Sequence, residues 1–298
     1  MTIPVMRIPS KLLYKNTAYF LILPAIATLL FVIISPMIYS IFISLHTWYL
    51  AKPKVRPFIG LKNYYFFLFE DPIFRVALRN TVSLLGVCIP VEFGLGLLLA
   101  SLLNRKNLKA QRFFRSCLIL PLAVTPIVVG VLWKFILHPR YGILNYFLSL
   151  LGLPSIEWIA DPRFALVSVM MVDIWEWTPF MVLVLYAGLV SLPQAPLEAA
   201  KIDGASGWQE FIHIAIPLVT PIITVAILIR VMDIIKMFDI IYVLTRGGPG
   251  DATELLSLYN FRIGLNYFYI GRAAALSWLI AIMVIVIAQV FLKITKTA

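Results

Sequence analysis

Six stretches of this chain are apolar over lengths that match the thickness of a lipid bilayer, and that leaves little freedom of fold. Crossing a hydrocarbon core in helical conformation takes about 20 apolar residues. The runs are Ala18 to Leu45, Thr81 to Leu103, Ser116 to Leu137, Phe164 to Leu189, Ile214 to Leu244 and Arg272 to Leu292. Composition agrees. Of 298 residues, 61% are apolar and 13% charged, and the mean hydropathy of +0.95 lies far above that of soluble domains. The expected class is an all-α integral membrane protein with about six transmembrane helices. Arg7, Lys11 and Lys15 precede the first run, which is too long for a signal-peptide core and has no small-residue cleavage site after it. It is expected to stay attached.

Basic residues set the expected orientation. Arg105, Lys106, Lys109, Arg112 and Arg115 fill the short loop between the second and third runs with no acid beside them. The two ends add Arg7, Lys11, Lys15, Lys293 and Lys296. An even number of crossings puts all three groups on one side, which the positive-inside rule makes cytoplasmic. Lys52, Lys54, Arg56 and Lys62 fall on the other side, so the inside excess is moderate. The net charge of +11 needs no nucleic acid, because the basic residues cluster at membrane edges, where they meet anionic headgroups. Cys88 and Cys117 lie within apolar runs and read as small buried residues rather than a disulfide, and the three histidines lack metal-ligand spacing.

Between the fourth and fifth runs stands a polar interruption that reads as a compact helix–turn–helix. Pro193 and Pro196 suit a first helical turn, where a missing N–H costs nothing. Glu198 lies near that positive end, and Gly204 is a natural stop. Ser206 with Gln209 forms a capping-box pattern that starts a second helix, Gly207 to Ile216, which then meets Pro217 and Pro221.

Glu198-Ala199-Ala200, the Gly204 that follows after three further residues, and the ending Ile214-Ala215-Ile216-Pro217 resemble the EAA loop of the inner-membrane permeases of binding-protein-dependent ABC importers. Ile216 stands where that family usually has Leu. Phe58-Ile59-Gly60-Leu61-Lys62-Asn63-Tyr64, Asp203-Gly204-Ala205 and Leu244-Thr245-Arg246-Gly247-Gly248-Pro249-Gly250 look like its sugar-type branch (maltose, trehalose, glycerol-3-phosphate). The resemblance covers nearly the whole chain. It implies a five-helix type I importer core plus an N-terminal helix: residues 1–79 as the N-terminal segment, first helix and outer loop, and 80–298 as the core, with a coupling loop at 191–217. It also implies that Glu198, Ala199, Ala200, Asp203 and Gly204 couple the spans to two cytosolic ATPase subunits that carry ATP and Mg. A second related permease and an extracytoplasmic sugar-binding protein complete the set, in the inner (plasma) membrane of a prokaryote with both termini cytoplasmic. This chain itself is expected to bind no cofactor and to be no enzyme.

Charges at membrane depth are the remaining chemistry. Asp173, Glu176, Trp177 and Phe180 share one helical face of the fourth run, and Arg230, Asp233, Ile234 and Met237 repeat that spacing on the fifth. A charge facing lipid at the bilayer centre costs about 3 kcal/mol on insertion scales, so these must face inward. They either tie helices together as ion pairs or line a water-filled sugar path, with the aromatics against the sugar face and the charged groups on hydroxyls. The resemblance places Asp173, Glu176, Trp177, Phe180, Arg230 and Ile234 where the maltose-type permease contacts sugar, although that permease has neutral side chains at several of these places. Local negative charge favours a neutral oligosaccharide over an anion such as glycerol-3-phosphate. Glu92 and Lys134 stand alone within apolar surroundings, Lys134 near enough to its helix end to snorkel; neither is assigned a role.

Two loops and six prolines complete the expectations. Ile143 to Leu151 is a short amphipathic stretch between Gly142 and Gly152 that should lie flat on the outer surface. Arg246 to Gly250 lacks the spacing and lysine of a phosphate loop and reads as a tight turn; the resemblance turns it toward the binding protein. Pro24, Pro36, Pro90, Pro121, Pro126 and Pro179 should kink their helices. There is no GxxxxGK[ST], HExxH or GxSxG, so energy must come from a separate subunit. An ion-coupled secondary transporter, with Asp173, Glu176 or Asp233 as carriers, is the alternative from another class.

Overall fold

The computed structural model describes residues 10–105 and 111–297, all of whose regular structure is helical. Arg7, Lys106 and Lys109 lie outside the described residues. Helices α1 (Ser10–Leu29) and α2 (Ser35–Ser44) are joined by a π turn at Leu30–Ile34 into one long rod. An 18-residue apolar window of that rod has no buried residue, so its apolar surface is left for lipid or another subunit. A short α3 (Lys62–Tyr65) leads to α4 (Pro72–Leu103).

Helices α4 and α8 (Pro162–Val190) form the centre and start by the same local device. In each an Asp-Pro pair opens the helix: Asp71 accepts from the Ile73 N–H at 2.9 Å, and Asp161 from the Arg163 N–H at 2.9 Å. The carboxylate satisfies an orphan donor and faces the positive helix end, while proline's fixed φ suits the first turn. The two helices pack closely because Gly96 has no side chain; a Cβ there would stand 2.8 Å from Met181 Cβ.

Two of the apolar runs do not form single helices. Between residues 111 and 136 the chain makes α5 (Gln111–Ile119), a 3₁₀ turn at Pro121–Ala123, and α6 (Pro126–Ile136). Val124 and Thr125 are extended there (ψ 138° and 143°). Pro121 and Pro126 remove donors, and a residue before proline avoids the helical region, so the expected kinks become a full break. By length and apolarity five helical stretches among the described residues suffice to cross a membrane; the third run is not one of them, its longest piece being the shorter apolar helix α6. The fifth run breaks as well: α11 (Ile216–Lys236) ends at Met237 (ψ 119°), and α12 (Asp239–Leu244) resumes after Phe238. Gly130 on α6 lets the two short helices meet, since a Cβ there would lie 3.1 Å from Val243.

On the aqueous side stand α9 (Gln194–Ile202) and α10 (Gly207–Glu210). The second helix of this knob does not stop at Pro217. A π turn at Phe211–Ala215, with the Ile216 N–H on the Phe211 carbonyl, carries it into α11, and Pro217 sits in that helix's first turn. At the opposite end, α7 (Ile143–Leu150) exposes Ile143, Tyr146, Phe147 and Leu150, while buried Asn145 bonds the Pro139 and Ile156 carbonyls and the Trp158 indole. Helices α13 (Leu256–Phe261) and α14 (Ile270–Thr297) close the chain, with α14 packed on α2 and α11. Cys88 is buried as expected, but Cys117 on α5 is exposed, because that stretch is a short surface helix rather than part of a packed span.

Candidate substrate path and coupling surface

Arg230 on α11 is fully buried and reaches two acids on two other helices. Its Nε and Nη2 donate to the carboxylate of Glu92 on α4 at 2.7 and 2.8 Å, and Nη2 also donates to Asp173 Oδ2 on α8 at 2.8 Å. The fork geometry of guanidinium allows this bidentate grip, which is shorter and stronger than a neutral hydrogen bond. The Trp177 ring covers the guanidinium, with 4.6 Å from its centroid to Cζ. Cys88, Glu92 and Asp173 bring possible metal-ligand atoms within 4.8 Å of one another, yet both carboxylates already accept from Arg230, so the guanidinium takes the cation's place.

The cluster opens on one side into a cleft of about 230 Å³. Asp173, Trp177, Arg230 and Asp233 line it, joined by Pro126 and by Lys236 to Ile240. Both helix breaks therefore end at this cleft: α6 begins there, and α11 gives way to α12 there. Unwound backbone at membrane depth is tolerated where it lines a cavity, and discontinuous helices are a recurrent way to build transport sites. Lys236 pairs loosely with Asp233 at 3.6 Å.

The other expected site residues are placed differently. Phe180 meets Trp177 edge to face at 6.2 Å, one turn from the lining. Glu176 is buried, and its Oε2 has no hydrogen-bond partner among the described residues, as is true of Asp173 Oδ1. Ile234 does not reach the cleft; it is fully buried in an apolar cluster with Leu84, Val169 and Ile241. Glu92, without an assigned role in the sequence, turns out to be the principal partner of Arg230. A signal for it was present: Leu84, Cys88, Glu92, Gly96 and Ala100 recur at four-residue spacing and are all buried. A stripe that includes small residues marks the packed face of a membrane helix. Lys134 is exposed near the end of α6.

The knob is built as its residues suggest. Gly204 adopts φ +79°, and a Schellman pair closes α9, with the Ala205 N–H on the Ala200 carbonyl at 2.9 Å and the Gly204 N–H on that of Lys201 at 3.2 Å. The Ser206–Gln209 capping box is formed in both directions. Ala200 is buried against the bundle, whereas Glu198, Ala199 and Asp203 are exposed. Lys201 reaches Glu210 at 3.8 Å across the two helices. Ile202 and Trp208 are 86% and 70% exposed, a large apolar display on the knob of the kind that marks an interaction surface.

A second buried ion pair lies in the loop after α12. Glu254 is inaccessible and sits 2.8 Å from Arg262. Gly247, at φ +83°, leans against it. The Asn80 amide holds the loop by donating to the carbonyls of Asp251, Ala252 and Glu254 at 3.0–3.2 Å. Burial, opposed by Arg262, pushes the Glu254 carboxyl up to about 7.

A multi-pass helical protein with a charged, aromatic cleft at two helix breaks has the form of a membrane transport subunit. The chain belongs to the family of inner membrane components of binding-protein-dependent transport systems, whose model matches residues 92–295. It is 38% identical over 292 residues to the trehalose/maltose transport system permease protein MalF of Thermococcus litoralis, covering 96% of this chain and 97% of that one. It is 33% identical to the trehalose transport system permease protein SugA of Mycobacterium tuberculosis, over 98% and 92%. Among solved structures it is similar to a bacterial ABC transporter involved in the import of the acidic polysaccharide alginate, with a TM-score of 0.80, 26% identity and coverage of 96% and 99%. The chain is accordingly an ABC importer permease of the inner membrane, not an ion-coupled carrier.

Proposed function

We propose that this permease conducts a neutral oligosaccharide through the Trp177–Arg230 cleft, with its energy supplied by two ATPase subunits that dock on the knob. The observation that carries the reading is the meeting of both helix breaks at one charged, aromatic cleft. Trp177 offers a ring face to the apolar side of a sugar, and Asp233, Asp239 and Lys236 offer acceptors and a donor for hydroxyls. The lining carries two cationic and three anionic side chains, a balance that disfavours an anion. Relatives named for trehalose and maltose support a sugar. The alginate importer indicates that the fold also serves an acidic chain, so the lining rather than the fold decides the sign.

The knob faces the cytosol in this reading, as do both termini. Residues 80–298 form the core and 1–79 a peripheral arm. ATP and Mg reside on the ATPase subunits, which seat Ile202, Trp208 and the surface of Glu198, Ala199, Asp203 and Gly204. A second permease encloses the other half of the path, and an extracytoplasmic protein delivers the sugar. A pair of variants in the assembled transporter tests this. Trp177→Ala should lower sugar uptake about tenfold, the order of one lost aromatic contact of about 1.5 kcal/mol, while sugar-stimulated ATP hydrolysis persists. Gly204→Asp should abolish uptake and uncouple hydrolysis from sugar, because a non-glycine residue at φ +79° strains the turn that closes α9. Normal uptake in both would overturn the reading.

A further inference from the structure

We infer that a pocket between the first and last helices, on the membrane face away from the knob, seats the phosphate-bearing headgroup of an anionic lipid. The pocket is independent of the substrate cleft. It occupies about 470 Å³ where α2 has ended, α3 begins and α14 starts, with Trp48, Lys62, Tyr65, Phe66, Tyr269 and Arg272 in its wall. Its side follows from the connections. The chain runs from the knob through α11 and α12 to the far side and returns in α14, so Ile270 starts opposite the knob. The Tyr49–Tyr269 stack at 4.8 Å brings the end of the first rod to the same level.

The wall presents two cationic donors and one acid. Arg272 lies by two aromatic rings, its Cζ 3.9 Å from the Phe66 centroid and 5.1 Å from that of Tyr269, and among the described residues no carboxylate forms an ion pair with it. Lys62 is exposed and, among the described residues, forms no side-chain hydrogen bond or ion pair. The Trp48 indole N–H is buried with no acceptor, and Arg56 covers its ring at 3.8 Å. One acid, Glu70, also lines the pocket; it is exposed and pairs with neither cation. A guanidinium and an ammonium on the wall of one space suit the oxygens of a phosphate. Cation–π contacts hold Arg272 in place without consuming its donors.

The rim argues for a lipid rather than a dissolved anion. Leu61 and Phe69, which flank the lining residues in sequence, are 69% and 65% exposed. Exposed apolar side chains next in sequence to a cationic lining suit a molecule with a charged head and hydrocarbon tails. Aromatic and basic residues at this depth are the usual anchors of the interface.

Native mass spectrometry and thermal unfolding of the full chain in detergent test the assignment with three probes: phosphatidylglycerol, diacylglycerol of the same chains, and inorganic phosphate. Phosphatidylglycerol should be retained and should raise the unfolding temperature, whereas the other two should do neither. Lys62→Gln, a change at an exposed and unbonded side chain, should weaken retention about fivefold, the order expected for one basic group at a membrane surface. Arg272→Gln should weaken it at least as much. Equal retention of diacylglycerol would make the pocket an acyl groove, and equal protection by phosphate a free-anion site; either overturns the proposal. So does unchanged phosphatidylglycerol retention in both variants.

Discussion

Two ion clusters are buried among the described residues, and they are built on different terms. Around Arg230 one cation serves two acids from two other helices, so removing it strands two carboxylates at membrane depth. Around Glu254 one acid meets one cation that is itself part exposed, and the neighbouring loop is tied to α4 by the Asn80 amide. The first is a three-helix junction whose charges are buried and open on one side into the cleft. The second sits beside water and can take up a proton in place of its partner. Buried charge thus fixes helix positions in one place and makes a loop responsive in the other.

The largest expected effect follows from breaking the first cluster. Arg230→Met should destabilise the solubilised chain by about 3–5 kcal/mol, the cost of leaving buried charge uncompensated, whereas Arg262→Met should cost about 1 kcal/mol. Neutralising the whole junction (Glu92→Gln, Asp173→Asn and Arg230→Met together) should recover most of the loss, since a buried ion cluster replaced as a unit is often neutral in stability. Thermal or denaturant unfolding reads all three. If Arg262→Met proves the costlier change, the contrast is wrong.

Asn80→Ala sharpens the comparison from the other side. It removes one amide from three loop carbonyls without touching a charge, and should cost about 2 kcal/mol while raising hydrogen exchange in residues 247–254. Exchange that stays the same would mean that the Glu254–Arg262 pair alone holds the loop. The smallest effect is one of pH. Because the folded Glu254 carboxyl titrates near 7, above its ordinary value, the closed loop binds a proton that the opened loop gives up. Closure is therefore strongest in acid and weakens as pH rises from about 4.5 through 7. Loop protection, corrected for intrinsic exchange, should fall roughly twentyfold between pH 5.5 and 8, and Glu254→Gln should flatten that slope. Protection that increased with pH would show that ion pairing outweighs burial.

Much of this was legible in the residues. The helix class follows from the apolar runs, and the knob from Pro193, Gly204 and the Ser206–Gln209 pair, because caps and stops act within a few residues. The breaks at residues 121–125 and 237–238 were harder to read. Prolines announced the first only as a kink, and no breaker marks Met237–Phe238, where packing around the cleft wins over helical propensity. The partner of Arg230 was hidden for a different reason: Glu92 lies 138 residues away, and helix periodicity gives each residue's face but not which faces meet. Ile234 shows the converse. Its spacing matched the cleft-facing residues, yet one position along a helix turns a side chain by about 100°, enough to send it into the core.

The Arg230 junction also has a history within each molecule's synthesis. Glu92 leaves the ribosome 138 residues before Arg230, and Asp173 follows it 57 residues ahead of the same arginine. At about 5–20 residues per second, the first carboxylate waits roughly 7 to 28 s for its counter-charge. The central pair of helices therefore reaches the bilayer as an acidic half-product, and it is the arrival of α11 that turns a set of inserted segments into a joined bundle.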